Sequence, residues 1–570
     1  MIIFFIFTLS ILLMDNYEIS KSFSLLAKLM DIHGDNSFKA KSYSSAAFNI
    51  EKLPDELSAL PQNKIFALKG IGETLGKKIL ELIDTGRISD LDDYLEKTPP
   101  GILEMLRIKG IGPKKIATIW KDLEVETIGE LLYACNENRL LNYKGFGAKT
   151  QDNIRQSIEF YLSNAGSYLY AQVECYAAAW EEKFSEWLPA KIFHCTGDFR
   201  RHLLTIDKLE WVTDATVSEI ENAFDNQIYT TEIDDSVVKI KGPENLLLQF
   251  YCTSSALLFT KLFETSCSDE FLTTWENRFS WDDKKSYKSE EEIFSANKIE
   301  WIQPYLREKS YIIDKAADKL LHEVITIKDI KAIIHSHSNW SDGSNTLEQM
   351  VTGAIKKGFE YLVISDHSKS AFYAGGLYPD KIIKQHELVD ELNEKYKPFK
   401  IFKSIESDIL NDGNLDYDDS ILASFDLVIT SVHSNLKMNR DKAMMRLVNA
   451  ISNPYTTILG HMTGRLLLSR NGYPVDHETI IDACAKHNVV IELNAHPRRL
   501  DMDWKWVDVA LEKGVLISID PDAHSINEYD NIKYGVLAAQ KGGLTKEKNV
   551  SSFSLQQFEE FLEKQKEKRK

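Results

Sequence analysis

The sequence predicts a chain of several domains: a helical N-terminal region built on glycine-punctuated hairpins, an α+β region, and a C-terminal α/β barrel. Three observations predict it. The chain has 570 residues, more than one hydrophobic core can serve. A Gly-apolar-Gly triplet recurs three times before residue 150. After residue 326, short apolar runs recur every 27 to 39 residues, the spacing of a strand and its return helix.

Composition narrows the function before any motif is read. Apolar residues make up 43% and aromatic residues 11% of the chain, as in a globular protein. The net charge of -18 excludes a uniformly basic nucleic-acid binder, so any DNA contact must come from local loops, backbone amides or bound cations. The six cysteines (Cys135, Cys175, Cys195, Cys252, Cys267, Cys484) form no CxxC pair. That spacing excludes a thiolate zinc site and a disulfide framework and fits the reducing cytoplasm. Residues 1–13 hold an apolar run from Ile2 to Leu13. It is too short to span a bilayer, and no Lys or Arg precedes it. We read it as an extension from a start codon placed too early, an anchor or signal being the alternative; no other segment approaches membrane length. The expected domains are then 14–95, 96–165, 166–274, 275–325, 326–560 and a charged tail 561–570. Residues 275–325 read as a linker with one or two helices, and the tail as a solvated end.

The N-terminal triplets are Gly70-Ile71-Gly72 with Gly76-Lys77-Lys78, Gly110-Ile111-Gly112 with Lys114 and Lys115, and Gly145-Phe146-Gly147 with Lys149. Each lies between helical stretches. The apolar residue can plug the angle between two helices. The glycines let backbone amides approach a phosphate at the start of the second helix, where the dipole favours an anion. This is the helix-hairpin-helix mode of sequence-independent backbone binding, with a tight structural connection as the bland alternative. Three copies, each followed by basic residues, favour DNA, whether gapped, nicked or single-stranded.

With these motifs, residues 14–165 resemble the lyase-type and fingers subdomains of family X DNA polymerases. The resemblance puts Lys78 where members with deoxyribose-phosphate lyase activity carry their Schiff-base lysine; a plain phosphate contact needs a lysine there as well. Residues 166–274 resemble the family's nucleotidyltransferase palm, in degenerate form. Thr196-Gly197-Asp198-Phe199-Arg200-Arg201 is similar to the Gly-Ser turn with its two arginines, with Asp198 in place of the serine. Ungapped alignment then puts Lys208 and Glu210 at the paired aspartates, and Leu247 at the third. A shift of one residue recovers Asp207 but not the third carboxylate. Two-metal nucleotidyl transfer requires carboxylates that bridge both ions, and a lysine repels them. The palm is therefore expected to be inactive, and 275–325 to be a thumb remnant.

The C-terminal region places polar residues at the end of each apolar run. In a closed parallel barrel these ends converge on one face, which brings together His335, His337, His367, Glu406, His433, His461, Asp522 and His524, with Asp342 on the first loop. Six of the ten histidines after residue 330 end such runs. A single histidine there is usually satisfied by backbone; a cluster without cations would be a costly set of buried polar groups. Imidazoles and carboxylates without thiolates suit Mn²⁺, Zn²⁺ or Fe²⁺, and nine ligands suffice for two or three ions. His496 reads as a rim residue.

This set, with Ser338-Asn339-Trp340-Ser341-Asp342-Gly343 and Arg498-Arg499-Leu500-Asp501, resembles the PHP (polymerase and histidinol phosphatase) domain that follows the palm in bacterial family X polymerases. The resemblance implies a distorted (βα)7 barrel in which His335, His337, Glu406 and Asp522 hold one ion. Glu406 then bridges to a second ion with His433 and His461, and Asp342, His367 and His524 hold a third. Glu406, His433 and Asp522 would serve catalysis, with Arg465 and Arg499 as phosphate clamps or, equally, rim salt bridges. The expected protein is a monomeric, DNA-binding 3′–5′ exonuclease or phosphoesterase of DNA repair. Three rivals remain: an active repair polymerase, a DNA-binding scaffold whose metal centre only stabilises the fold, and a small-molecule phosphatase of the histidinol-phosphate type.

Overall fold

The computed structural model describes residues 14–569 except 137–138, 164–165, 243–245, 280 and 469–470. The apolar run of residues 2–13 lies outside the described residues. The chain forms two compact units that divide after residue 165.

The first unit is helical. Helices Asn16–His33 and Ser37–Glu51 start at Asp15 and Asn36, whose side chains accept backbone N–H groups of the first turn. Their buried faces (Phe23, Leu26 and Met30 against Tyr43, Ala46 and Ile50) open a single core. That core continues through Ile71, Ile111 and Phe146, so the middle residue of each glycine triplet is a buried plug.

The second unit opens with a five-stranded sheet: β1 Phe193–Thr196, β2 Lys208–Thr213, β3 Thr230–Asp234, β4 Val237–Lys241 and β5 Leu247–Cys252, in the order β1-β2-β5-β4-β3. Strands β2 and β5 run parallel, with Lys208 beside Leu247 and Glu210 beside Gln249. Helix Tyr170–Trp187 covers the sheet, and Phe184 packs edge-on against Trp211 and Phe250.

Residues 275–325 differ from the linker expectation. Helices Glu290–Ala296 and Tyr311–Ala317 pack with Asp269–Arg278 around Phe263, Phe271, Trp275, Ile293, Phe294 and Ile313. Buried aromatics at helical spacing make this a packed layer.

The barrel strands are β6 Ala332–Ile333, β7 Tyr361–Ile364, β8 Lys400–Asp408, β9 Leu427–Ser431, β10 Thr456–Leu459, β11 Val490–Asn494 and β12 Ile517–Asp520. They are parallel and pair in sequence order. Strands β7, β9, β10, β11 and β12 are buried along their whole length, because helices cover the outside. Closure comes beyond the ends of β6 and β12. There His337 N–H donates to Ala523 O (2.8 Å), and Ser336 bridges to Ala523 in parallel.

The expected solvated tail is a second difference. Helix Leu555–Lys566 buries Phe558, Phe561, Leu562 and Gln565, and Phe558 packs on Tyr361 and Phe402 among the strand residues. Beyond it Lys568 Nζ donates to Thr456 O (2.9 Å), and Arg569 stacks over Tyr455. Residues 561–569 therefore belong to the barrel.

Candidate metal centre

Each strand end delivers its side chain to one place. Glu406, near the end of β8 and fully buried, is the hub. Its Oε1 lies 3.3 Å from His335 Nε2, 3.2 Å from His433 Nε2 and 3.1 Å from His461 Nε2. Its Oε2 lies 2.9 Å from His367 Nδ1 and 3.7 Å from His337 Nε2. Asp522 Oδ1 meets His335 Nε2 (3.3 Å) and His337 Nε2 (3.1 Å). Asp342 Oδ1 stands 3.7 Å from His367 Nε2 and 3.4 Å from His524 Nε2. All nine expected residues thus meet in one cluster. Two of them adopt left-handed backbone, His335 at φ 62° and Asp522 at φ 51°. Such conformations in non-glycine residues persist where surrounding structure enforces them.

Three subsets bring single ligand atoms within 4.8 Å of one another: His337, Asp342, His367 and His524; His335, His337 and Asp522; His367, Glu406 and His433. The grouping differs in detail from the expected one. His337 and His367 are shared between subsets, and His461 belongs to none of the three, meeting Glu406 Oε1 and lying beside the His433 ring.

The charge balance of the cluster calls for cations. His335 Nε2, His367 Nδ1 and Glu406 Oε2 are buried and make no hydrogen bond, an arrangement that costs free energy unless something compensates it. Among the described residues, the one Lys or Arg nitrogen within 4 Å of Asp342, Glu406 or Asp522 is Arg499 Nε, 3.6 Å from Asp522. In place of lysines the carboxylates face imidazoles. Burial opposes a charge on His433, but Glu406 and Asp408 outweigh it and push its pKa up to about 10. Burial likewise opposes charge on His524, and Asp342 and Asp522 push it up to about 9. His337, buried between His524 and His367, falls to about 3. Glu406 is held well below the usual carboxylate range against its burial, by His433, His335 and His367. The imidazole and carboxylate donor set fits divalent ions.

Two carboxylates that touch the cluster escaped the sequence reading. Asp408 Oδ1 binds His433 Nδ1 at 2.5 Å. Glu492 Oε1 binds His335 Nδ1 at 2.5 Å, while its Oε2 accepts the His461 N–H at 2.6 Å. Each carboxylate engages Nδ1 and so turns the Nε2 of its ring toward Glu406. The signal was strand alternation: Asp408 lies two residues beyond Glu406 on the same face, and Glu492 interrupts an apolar strand.

The two candidate clamps part company. Arg465 donates to Arg499 O (3.0 Å), Asp503 Oδ2 (2.6 Å) and Leu500 O, so it holds the loop of Arg499. Arg499 faces the cluster itself. His496 Nδ1 accepts the Arg498 N–H (3.2 Å) beside the centre.

In the first unit, Gly70, Gly110 and Gly145 take φ of 86°, 89° and 95°, which a side chain would strain. Gly72 and Gly112 are N-caps of Glu73–Thr85 and Pro113–Lys121, and Gly147 precedes Ala148–Ser163. A Cβ at Gly72, Gly110, Gly112, Gly145 or Gly147 would meet nothing within 4 Å. Lys114 and Lys149 are exposed beside their turns, and Lys115 lies over Phe146. The first turn borders an open groove of about 1010 Å³ with Phe38, Lys39 and Lys41. Lys78 is instead held by Glu81 (2.8 Å) and Asp90 (2.9 Å). Desolvation alone would lower its pKa; the two carboxylates raise it, opposite to what a Schiff-base amine needs.

In the five-stranded sheet, Lys208 Nζ pairs with Glu210 Oε1 at 2.8 Å. Gln249 rather than Leu247 completes the contact, 3.3 Å from Lys208, and Tyr251 OH donates to Glu210 (2.8 Å). Asp207 is exposed and bonds Ser167. A Cβ on Gly197 would fall 1.8 Å from Glu210 Oε2, so the Gly197 turn sits directly on that carboxylate. Arg200 is tied to Glu290 and Ser266, and Arg201 to Asp198 and Glu308.

The chain is 31% identical over 573 residues to the DNA polymerase/3'-5' exonuclease PolX of Bacillus subtilis (strain 168), covering 97% of this chain and all of that protein. The chain belongs to the PolX family. Residues 14–88 match the Helix-hairpin-helix domain, 102–159 the SAM-like Helix-hairpin-helix tandem, and 334–496 the PHP domain. The chain is also 25% identical over 252 residues to a probable phosphatase of Thermoanaerobacter sp. (strain X514), covering 42% of this chain and 98% of that protein. It is also 26% identical over 245 residues to a probable phosphatase of Vibrio atlanticus (strain LGP32), covering 94% of that protein. This PolX member therefore pairs DNA-binding helical hairpins with a PHP barrel, a metal-dependent hydrolase fold that uses divalent ions. No helix among the described residues is long and apolar enough to cross a membrane.

Proposed function

We propose that the chain is a cytoplasmic, monomeric DNA-repair enzyme whose working centre is the PHP barrel, a 3′–5′ exonuclease or related phosphoesterase acting on gapped, nicked or single-stranded DNA. The observation that carries this reading is the convergence of buried, donor-less ligand atoms on Glu406. His335, His337, Asp342, His367, Glu406, His433, His461, Asp522 and His524 would hold two or three divalent ions, with Mn²⁺ or Zn²⁺ ahead of Fe²⁺. Divalent ions held there would supply charge neutralisation at the phosphoryl group and a more acidic water.

The chain's own residues do the rest. Glu406, His433 and Asp522 set the face on which the scissile phosphate lies. Arg499 offers its guanidinium to a non-bridging oxygen, and Arg465 keeps that loop in place. Asp408 and Glu492 keep the Nδ1 protons of His433 and His335 away from the substrate side. The glycine turns hold the DNA backbone through amides without reading sequence.

In the five-stranded sheet, an ammonium at 2.8 Å from Glu210 occupies the place a cation would need. We therefore read the palm as inactive in polymerisation. The likeness of the barrel to proteins named as phosphatases supports a second reading, hydrolysis of a small phosphomonoester by the same centre. One experiment separates the readings: purified protein with Mn²⁺ is given labelled gapped and single-stranded DNA, with and without nucleotides, beside histidinol phosphate. The proposed function expects 3′-end shortening without extension. Hydrolysis of histidinol phosphate alone would favour the second reading, and extension would restore the polymerase.

A further inference from the structure

Arg446 lies on the helix Arg440–Ser452, between β9 and β10, and is wholly buried. Its neighbours on the buried face are Ala443, Leu447, Ala450 and Ile451. A leucine would suit such a position, because a buried guanidinium must recover a large desolvation cost. Among the described residues no carboxylate pairs with it. Its fork is satisfied by main-chain oxygens: Nε donates to Leu410 O (3.0 Å), Nη1 to Ser434 O (2.9 Å) and Nη2 to Ile409 O. Met438 Sδ is the remaining contact, at 3.5 Å.

The position of those carbonyls in the chain gives the fork its meaning. Ile409 and Leu410 directly follow Asp408, and Ser434 directly follows His433. One planar group therefore joins the two segments that leave the Asp408–His433 pair, whose Oδ1 and Nδ1 are 2.5 Å apart. The same helix grips the first segment twice more. Asn449 Nδ2 donates to Asp412 O (3.0 Å), and Gly413 comes so close that a Cβ would lie 2.6 Å from Asn449 Cβ. The ring of His433 is thereby set from both sides, by Asp408 at Nδ1 and by the backbone that follows each residue.

We propose that Arg446 is a positioning residue for the metal centre: by clamping the carbonyls that follow Asp408 and His433, it fixes the His433 imidazole against Glu406 and so sets the affinity of the ion these residues share. The proposal rests on the reading of the barrel as a metal centre. A planar fork holds three acceptors in fixed directions, which a lysine ammonium on a flexible stem does not. Outer partners of metal ligands typically govern affinity by about 10- to 100-fold.

The test measures Mn²⁺ binding to the full chain by calorimetry and by electron paramagnetic resonance. It compares wild type, Arg446→Met, Arg446→Lys, Asp408→Asn and the double variant Arg446→Met/Asp408→Asn. Arg446→Met should weaken one Mn²⁺ site about 10- to 100-fold and leave the others unchanged, with near-UV circular dichroism preserved. Arg446→Lys should lose part of that affinity despite keeping its charge. The double variant should be no weaker than Asp408→Asn alone, because both changes release the same ring. Wild-type Mn²⁺ affinity in Arg446→Met, even with a lowered Tm, would mean the residue only packs, and would overturn the proposal. Where Arg446→Met does not fold, wild-type affinity in Arg446→Lys overturns it equally. A wild-type protein that binds no Mn²⁺, Zn²⁺ or Fe²⁺ overturns the metal reading itself, which the variants then cannot rescue.

Discussion

The five-stranded sheet and the barrel both set a glutamate among polar side chains from neighbouring parallel strands, and they answer its charge in opposite ways. Glu210 is paired with Lys208 on its own strand and met by Gln249 and Tyr251. Glu406 is ringed by five imidazoles. A lysine beside a carboxylate does not surrender its proton near neutral pH, whereas an imidazole can exchange a proton for a metal within the physiological range. That contrast is what supports reading the barrel, and not the sheet, as the place where ions bind. On the proposed reading, the two sites differ in which base supplies the counter-charge.

The largest test of this contrast removes the hub. Glu406→Ala with Mn²⁺ should lower DNA degradation by about three orders of magnitude or more, as expected when a metal-bridging group is removed. DNA affinity by gel shift should change little. Degradation at the original rate by a folded variant would move the nuclease elsewhere and break the comparison on the barrel side. Its other side breaks if the unmodified chain performs template-directed synthesis with Mg²⁺ or Mn²⁺; we expect none.

A third experiment sharpens the role of the imidazoles. Without metal, His433 and His524 titrate at about 10 and about 9, so both carry protons at pH 7 that an ion must displace. Mn²⁺ affinity should rise with pH from about 7 to 9, by up to about tenfold per unit for each proton released. Calorimetry in buffers of different ionisation heat counts those protons. The sign for stability follows from the same raised values. The contribution of these pairs is complete below the unfolded value of about 6.5 and is lost as pH rises through 9 and 10. The metal-stripped protein should therefore lose Tm over that range, and Mn²⁺ should offset the loss. A pH-independent affinity would rule out the exchange of protons for metal.

The smallest effect is expected in the other unit. Gly112→Val should weaken binding to gapped DNA regardless of sequence, because a side chain there meets only open space where a phosphate would approach. Replacing Lys114 and Lys115 should reduce the salt slope by up to about one unit for each phosphate they neutralise. Unchanged affinity would make the turns structural.

Much of the barrel cluster was legible from one rule, that polar residues ending apolar runs converge on one face of a parallel barrel. Its support was harder to read, because Asp408, Glu492 and Arg446 act through strand register and through carbonyls that any residue could supply. The last helix was missed for a different reason. Phe558, Phe561, Leu562 and Gln565 follow helical spacing, but the surrounding Glu and Lys residues give the segment the composition of a solvated end. Residues 275–325 were obscured in the same way, their buried aromatics lying among acidic runs. At Leu247 the alignment named a position, while the side chain that meets Lys208 and Glu210 comes two residues later on the same face, from Gln249.

The seam beyond β6 and β12 has a consequence in time. His335 and His337 come from one edge of it, and Asp522 and His524 from the other. A growing polypeptide thus finishes its DNA grip long before it can complete the hydrolytic pocket. A chain interrupted within the barrel would carry the DNA-binding hairpins without a complete metal centre.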